Sequence, residues 1–189
     1  MNRRHFWLGG TAAAAAAAGG LGWRALEERR AKAVDAVTPV AAATAASRGN
    51  KDSAELWQMR FPRPGGGELR MSTLRGAPLV LNFWATWCPP CVLEMPELDR
   101  FAREFAARGV RVAGLAVDNE KAVAEFLARA PVSYAIGLAG FGGTDLSRRL
   151  GNGGGSLPFT AVFGRGGDVV WRKLGVTDRD ELARQVQEL

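Results

Sequence analysis

"LVLNFWATWCPPCVLEMPEL", residues 79–98, holds both cysteines of the 189-residue chain, Cys88 and Cys91. Its first seven residues are apolar at nearly every position, which suits a central strand covered on both faces. From Pro89 to about Arg108, Met95, Leu98, Phe101, Ala102 and Phe105 recur at steps of three and four, and Gly109 follows. That spacing predicts a helix with one apolar face, stopped by glycine. A buried strand therefore runs into a helix, and a C-x-x-C pair stands at the junction.

Working outward, "VRVAGLAV" (110–117) reads as a second buried strand. Residues 120–129 form a short helix with Ala122, Val123, Phe126 and Leu127 inward, "VSYAI" (132–136) a third strand, and "TDLSRRLG" (144–151) a helical turn among glycines. "FTAVFG" (159–164) and "DVVWRKL" (168–174), joined by "RGG", read as an antiparallel hairpin. Asp178 and Glu181 have capping-box spacing for a last helix, with Leu182, Val186 and Leu189 inward. Upstream, "ELWQMRFP" (55–62) alternates as a strand does, "GGG" (65–67) turns the chain, and "ELRMSTL" (68–74) returns as its hairpin partner. The fold class expected is α/β: a sandwich built on one mixed central sheet, with helices on both faces and an N-terminal β-hairpin.

The first fifty residues read differently. "MNRRHFWLGGTAAAAAAAGGLGW" has a short basic start and then an Ala/Gly-rich apolar run, the shape of an export signal. Arg3-Arg4 before Phe6 resembles the twin-arginine type; a Sec signal with two ordinary arginines is the alternative. Left uncut, Phe6 to about Trp23 is borderline in length for a membrane span, so cleavage and tethering both stay open. Residues 24–52 read as a low-complexity linker. The organisation expected is thus 1–23 signal or membrane anchor, 24–52 linker and 53–189 folded domain.

Charge and histidine content exclude whole classes of function. Residues 1–50 carry seven Lys/Arg against three Asp/Glu, whereas residues 51–189 carry eighteen against sixteen. The body thus lacks the charge excess of a nucleic-acid binder. The one histidine, His5, lies in the leader, so no Cys-His or Ser-His nucleophile and no histidine metal site exists in the body.

The cysteines admit three chemistries. A cross-link closing about four residues stabilises by only roughly 2 kcal/mol, against nearer 5 for a loop of about a hundred, so the pair is poorly placed as a staple. Structural zinc asks for four ligands, and no metal site is expected; two thiolates do suffice for a soft ion such as Cu(I), which keeps a non-catalytic copper carrier as an alternative. The catalytic reading rests on position. A thiol at a helix start meets unsatisfied N–H groups that favour its anion, and a second thiol three residues on is within bridging reach. Pro89 and Pro90 have no N–H to lose and stiffen the first turn. Cys88 then attacks a partner disulfide, and Cys91 resolves the mixed disulfide.

The same stretch, with its W-C-x-x-C-x-x-E-M-P pattern, resembles the thioredoxin superfamily, specifically its TlpA/ResA-like branch of exported thiol–disulfide oxidoreductases. The likeness runs from about residue 55 to the C-terminus, and "SLPFTAVFGRGGDVV" resembles the family's P-x-T segment. The resemblance implies a thioredoxin-like fold and no cofactor beyond a redox-active Cys88–Cys91 disulfide. It makes Pro158 a cis-proline facing the dithiol, placing Leu157 backbone beside Cys88 to pair with a partner strand; without it, a trans loop proline is the default. Glu94 matches a glutamate that manages the Cys91 proton, or else is a simple first-turn helix acid. Trp87 matches a tryptophan packed beside the cysteines, or is a plain rim aromatic, and Pro96 matches a helix-kinking proline. Two departures stand out. Asn82 replaces the buried aspartate of cytosolic thioredoxins, leaving proton transfer to Glu94 or water, and Gly164 replaces a usual acid. The function expected is a periplasmic or exported protein disulfide reductase, acting on disulfide-bearing exported proteins such as cytochrome c apoproteins and fed by a membrane dithiol donor. A disulfide-forming oxidant using the same site is the alternative.

Overall fold

The computed structural model describes residues 53–187 and 189. The expected leader and linker, 1–52, lie outside the described residues.

Every residue of β3 (Leu79–Trp84) is buried. Its alternation divides the core in two: Val80 and Trp84 join one apolar cluster, Leu79, Leu81 and Phe83 the other. This is the signature of a strand with both faces covered. β3 pairs in parallel with β4 (Arg111–Ala116), which pairs in parallel with β5 (Ala135–Leu138). On its other side β3 pairs antiparallel with β6 (Phe159–Phe163), and β6 with β7 (Val169–Leu174). The five-stranded order is β5-β4-β3-β6-β7. The register sets Phe83 opposite Phe159, so the chain leaving β3 and the chain entering β6 meet at one end of the sheet.

Helix α1 (Pro89–Phe105) presents Cys91, Met95, Leu98, Phe101 and Phe105 to the first cluster. Phe101 and Phe105 stack with ring centroids 4.4 Å apart, the four-residue step that puts two side chains on one helix face. A 3-10 turn follows, and Gly109 closes it at φ 77°, a conformation glycine adopts freely. α2 (Glu120–Arg129) and α4 (Arg179–Val186) add Val123, Leu182 and Val186 to the same face. α3 (Gly143–Arg149) lies on the opposite face, supplying Leu146. The mixed sheet with helices on both faces is the architecture expected. No helix among the described residues is long and apolar enough to cross a membrane.

The N-terminal hairpin exists, as a separate two-stranded sheet of β1 (Arg60–Pro62) and β2 (Glu68–Arg70). The strand expected over 55–62 does not form in full: residues 53–56 are helical. Leu56 and Trp57, adjacent in sequence, are both buried, which a strand with one exposed face forbids. Trp57 packs edge-on against Phe163 and donates Nε1–H to the Gly167 carbonyl at 2.9 Å, pinning this segment to the β6–β7 turn. Residues 71–74 form a 3-10 turn instead of continuing β2. The third strand is displaced from 132–136 to Ala135–Leu138 because Ser133 bonds through its N–H and hydroxyl to Asp99 of α1, and pairing with β4 begins only beyond it. The capping box is half formed. Asp178 accepts the Glu181 N–H at 2.8 Å, but the Glu181 carboxylate turns to Lys173.

Candidate active site

The turn from β3 into α1 closes with the Cys88 N–H on the Ala85 carbonyl, at 3.3 Å. Cys88 is the N-cap of α1, in extended conformation, and its Sγ accepts the Cys91 N–H at 3.3 Å. Serine or aspartate oxygens ordinarily fill that role; here a sulfur takes up one of the orphan donors of the helix start. The two prolines occupy first-turn positions where no donor is lost. The sulfurs are joined, with Cα atoms 5.3 Å apart, so the oxidised site is on view. Cys88 retains 5% exposure and Cys91 none, so of the pair only Cys88 reaches the surface. The Cys88 sulfur sits at the end of α1 where the helix dipole favours negative charge.

Trp87, immediately before, is 61% exposed, an outward-facing indole beside the sulfur pair. The Leu157–Pro158 peptide is cis. Pro158 is buried, one residue ahead of the Phe159–Phe83 pair, and half-buried Leu157 packs against the cluster that holds both cysteines. Trp87, Leu157 and Pro158 thus share the sheet end that carries the dithiol. The glycine-rich loop before them is tied down: Asn152 donates Nδ2–H to the Ser147 hydroxyl at 3.1 Å and the Ser156 carbonyl at 2.8 Å.

Glu94 lies in the second turn of α1 and is 1% exposed, so the surface first-turn acid is not what the structure contains. It faces β3. Oε1 accepts Asn82 Nδ2–H at 2.7 Å and Oε2 accepts the Thr177 N–H at 2.8 Å. Asn82 also donates to Thr160 Oγ1 at 3.0 Å. Burial pushes the Glu94 carboxyl up to about 7, against the pull of the Thr177 and Asn82 bonds and the charge of Lys173. A carboxyl so placed exchanges protons near neutral pH. Pro96 lies inside α1, on an exposed position.

Sequence reasoning missed Thr177 and Asp118. Thr177 enters through its backbone N–H, for which side-chain type gives no signal. Asp118 is buried, and Oδ2 accepts both the N–H (3.0 Å) and the hydroxyl (2.6 Å) of Thr86, two residues before Cys88. A carboxylate directly after a buried strand was the available signal. Among the described residues, no group of three His, Cys, Asp or Glu is placed to hold a metal.

The Redoxin family matches residues 50–187. The thiol-disulfide oxidoreductase ResA of Bacillus cereus is 28% identical over 125 residues, 66% of this chain and 70% of that protein. ResA of Geobacillus kaustophilus is 28% identical over 127 residues, with the same shares covered. Among solved structures, MTB dsbF in its mixed oxidized and reduced forms superposes with a TM-score of 0.60 at 28% identity, over 70% of this chain and 96% of that one. The thioredoxin-related protein from Neisseria meningitidis serogroup B gives 0.60 at 28% identity, over 69% and 97%.

Proposed function

Because this chain belongs to the redoxin family, its bridged Cys88–Cys91 pair is the centre of a thiol–disulfide oxidoreductase, and we propose that it works as a reductant of disulfides in exported proteins. The observation that carries the proposal is Cys88 Sγ at the N-cap of α1, accepting the Cys91 N–H. In the dithiol form Cys88 is the thiolate. It attacks one sulfur of a partner disulfide; that bond breaks, a mixed disulfide forms, and the partner's other sulfur leaves as thiolate. Cys91 then loses its proton to Glu94 and attacks Cys88 Sγ, forming the Cys88–Cys91 bond and freeing the second partner sulfur. Two electrons pass to the partner with two protons, one released by Cys91 through Glu94 and one from solvent. Trp87 and the Leu157–Pro158 segment receive the partner chain around its cystine.

The reductive direction is supported by the residues between the cysteines. Pro89 and Pro90 carry no group able to stabilise the Cys88 thiolate as a histidine would, so the dithiol is less favoured than in an oxidant. The leader over 1–23 and the linker over 24–52 are assigned to export, with or without a retained tether. Partners are maturing exported proteins, cytochrome c apoproteins among them, and a membrane dithiol renews the enzyme; no other cofactor is invoked. The test is insulin reduction with a thiol donor. Wild type turns over, Cys88→Ser does not, and Cys91→Ser accumulates a mixed disulfide. A reduction potential well above about −180 mV would assign the oxidative direction instead.

A further inference from the structure

The oxidoreductase cycle uses the sulfurs and Glu94, yet another buried carboxylate, Asp118, bonds the turn that leads to Cys88. Asp118 directly follows the buried Val117 after β4, is 4% exposed, and accepts four hydrogen bonds. Two come from the N–H and side-chain amide of Asn119, at 2.8 and 3.1 Å, and fix the start of α2. The other two come from Thr86, at 3.0 and 2.6 Å. β3 and β4 are parallel, with Trp84 opposite Ala116 and the Val117 N–H on the Trp84 carbonyl at 2.8 Å, so the two chains leave the sheet side by side.

Thr86 occupies an informative place. The Cys88 N–H closes on the Ala85 carbonyl, making Thr86 and Trp87 the two central residues of the turn that delivers Cys88 to α1. That turn has one backbone bond of its own, at 3.3 Å. Trp87 is exposed and contributes little restraint. Asp118 thus supplies the side-chain bonds from outside the turn, and both fall on the residue that sets its path. Hydrogen bonds to a carboxylate oxygen, as short as the 2.6 Å bond from the Thr86 hydroxyl, are stronger than ordinary neutral ones and select one loop geometry over near alternatives.

We infer that Asp118 is a positioning residue for the reaction: through Thr86 it holds the Ala85–Cys88 turn so that the Cys88 sulfur rests on the Cys91 N–H at the start of α1. The inference rests on Cys88 being the nucleophile. Released from Asp118, the turn samples other paths, the sulfur spends less time at the helix start, and the thiolate loses part of its stabilisation. A role confined to folding would lower stability without altering the acidity of Cys88 in the folded protein.

The experiment follows alkylation of Cys88 by iodoacetamide against pH in full-length reduced protein, all in a Cys91→Ser background. Two substitutions loosen the clamp while keeping a carboxyl group at the site, so loss of the group and change of geometry are not confused. Thr86→Val removes the 2.6 Å hydroxyl bond in the same volume, and Asp118→Glu moves the carboxylate by one methylene. Each is expected to raise the alkylation midpoint by about half a pH unit, a roughly threefold slower reaction below it, with near-ultraviolet circular dichroism unchanged. If either folded variant keeps the wild-type profile, the inference is overturned. A wild-type midpoint no lower than that of a free thiol would instead strike the nucleophile assignment itself, which keeps the two failures apart.

Discussion

Replacing Glu94 by glutamine tests the least ordinary feature of the site, a carboxylate enclosed between α1 and β3. Folded, it titrates at about 7; an unperturbed glutamate titrates at 4.5. The folded protein therefore holds this proton more tightly than the unfolded chain does. Stability from this group is complete below pH 4.5, falls as pH rises, and is gone once pH passes about 7. The separation of about two and a half pH units corresponds to roughly 3 kcal/mol. Urea unfolding of the oxidised protein at pH 4.5, 6, 7 and 8 should show wild type losing about that much and then levelling. The Glu94→Gln variant should stay nearly flat and be the more stable above pH 7. The bridged cysteines do not titrate, and two other shifted carboxyls lie below the usual range: Asp99, where the opposing effect of burial is outweighed by its bonds to Ser133, and Glu104, through its bond to Arg179. The amide also fits. Its oxygen keeps the Thr177 N–H, and Asn82, whose Oδ1 has no partner among the described residues, can turn that oxygen toward the new NH2. Parallel curves for the two proteins would refute the reasoning.

On the proposed reading, Trp87→Ala should raise KM for reduced-enzyme turnover of insulin about tenfold while changing turnover of a small aromatic disulfide far less, since the indole is exposed and turned away from the core. Its unfolding free energy should stay within about 0.5 kcal/mol of wild type. Asp178→Ala leaves the Glu181 N–H without its acceptor at 2.8 Å and should lower stability in urea by about 1 kcal/mol. Gly151→Ala forces a side chain into φ 110° with its Cβ 2.6 Å from Arg172 Nε; a loss of about 1–3 kcal/mol is expected in the same assay.

What could be read without coordinates follows from range. β3, α1 and the β6–β7 hairpin announce themselves because a dozen neighbouring residues repeat one period, and local periodicity is what burial on a sheet or helix produces. The dithiol was legible for a similar reason: cysteine spacing, two prolines and the helix start all lie within four residues. The N-terminal segment misled because Leu56–Trp57–Met59–Phe61 satisfies a two-residue period only if Leu56 is ignored, and its packing is decided by Phe163 and Gly167, more than a hundred residues away. β5 slipped by three residues because Ser133 is claimed by Asp99 of α1. The Glu94 and Asp118 networks were hidden for the same cause: their partners stand 83 and 32 residues off, and a polar side chain does not disclose in sequence which distant donor satisfies it.

Asn82 and Glu94 are best understood as one unit. An ionised aspartate at position 82 would have no hydrogen to give, and at 2.7 Å from Glu94 Oε1 it would set two negative charges against each other inside the core. The asparagine instead donates to Glu94 and, with the same nitrogen, to Thr160 on β6, joining helix and sheet through the carboxylate. Glu94 thus joins the central strand to the helix that carries the cysteines, three residues beyond Cys91. On the proposed reading, in which Glu94 takes the Cys91 proton, acceptor and resolving sulfur stand on one helix about one turn apart. The destabilisation of roughly 3 kcal/mol predicted above neutral pH is the physical counterpart of this arrangement: the burial that raises the Glu94 carboxyl to about 7 is the same burial that opposes its charge.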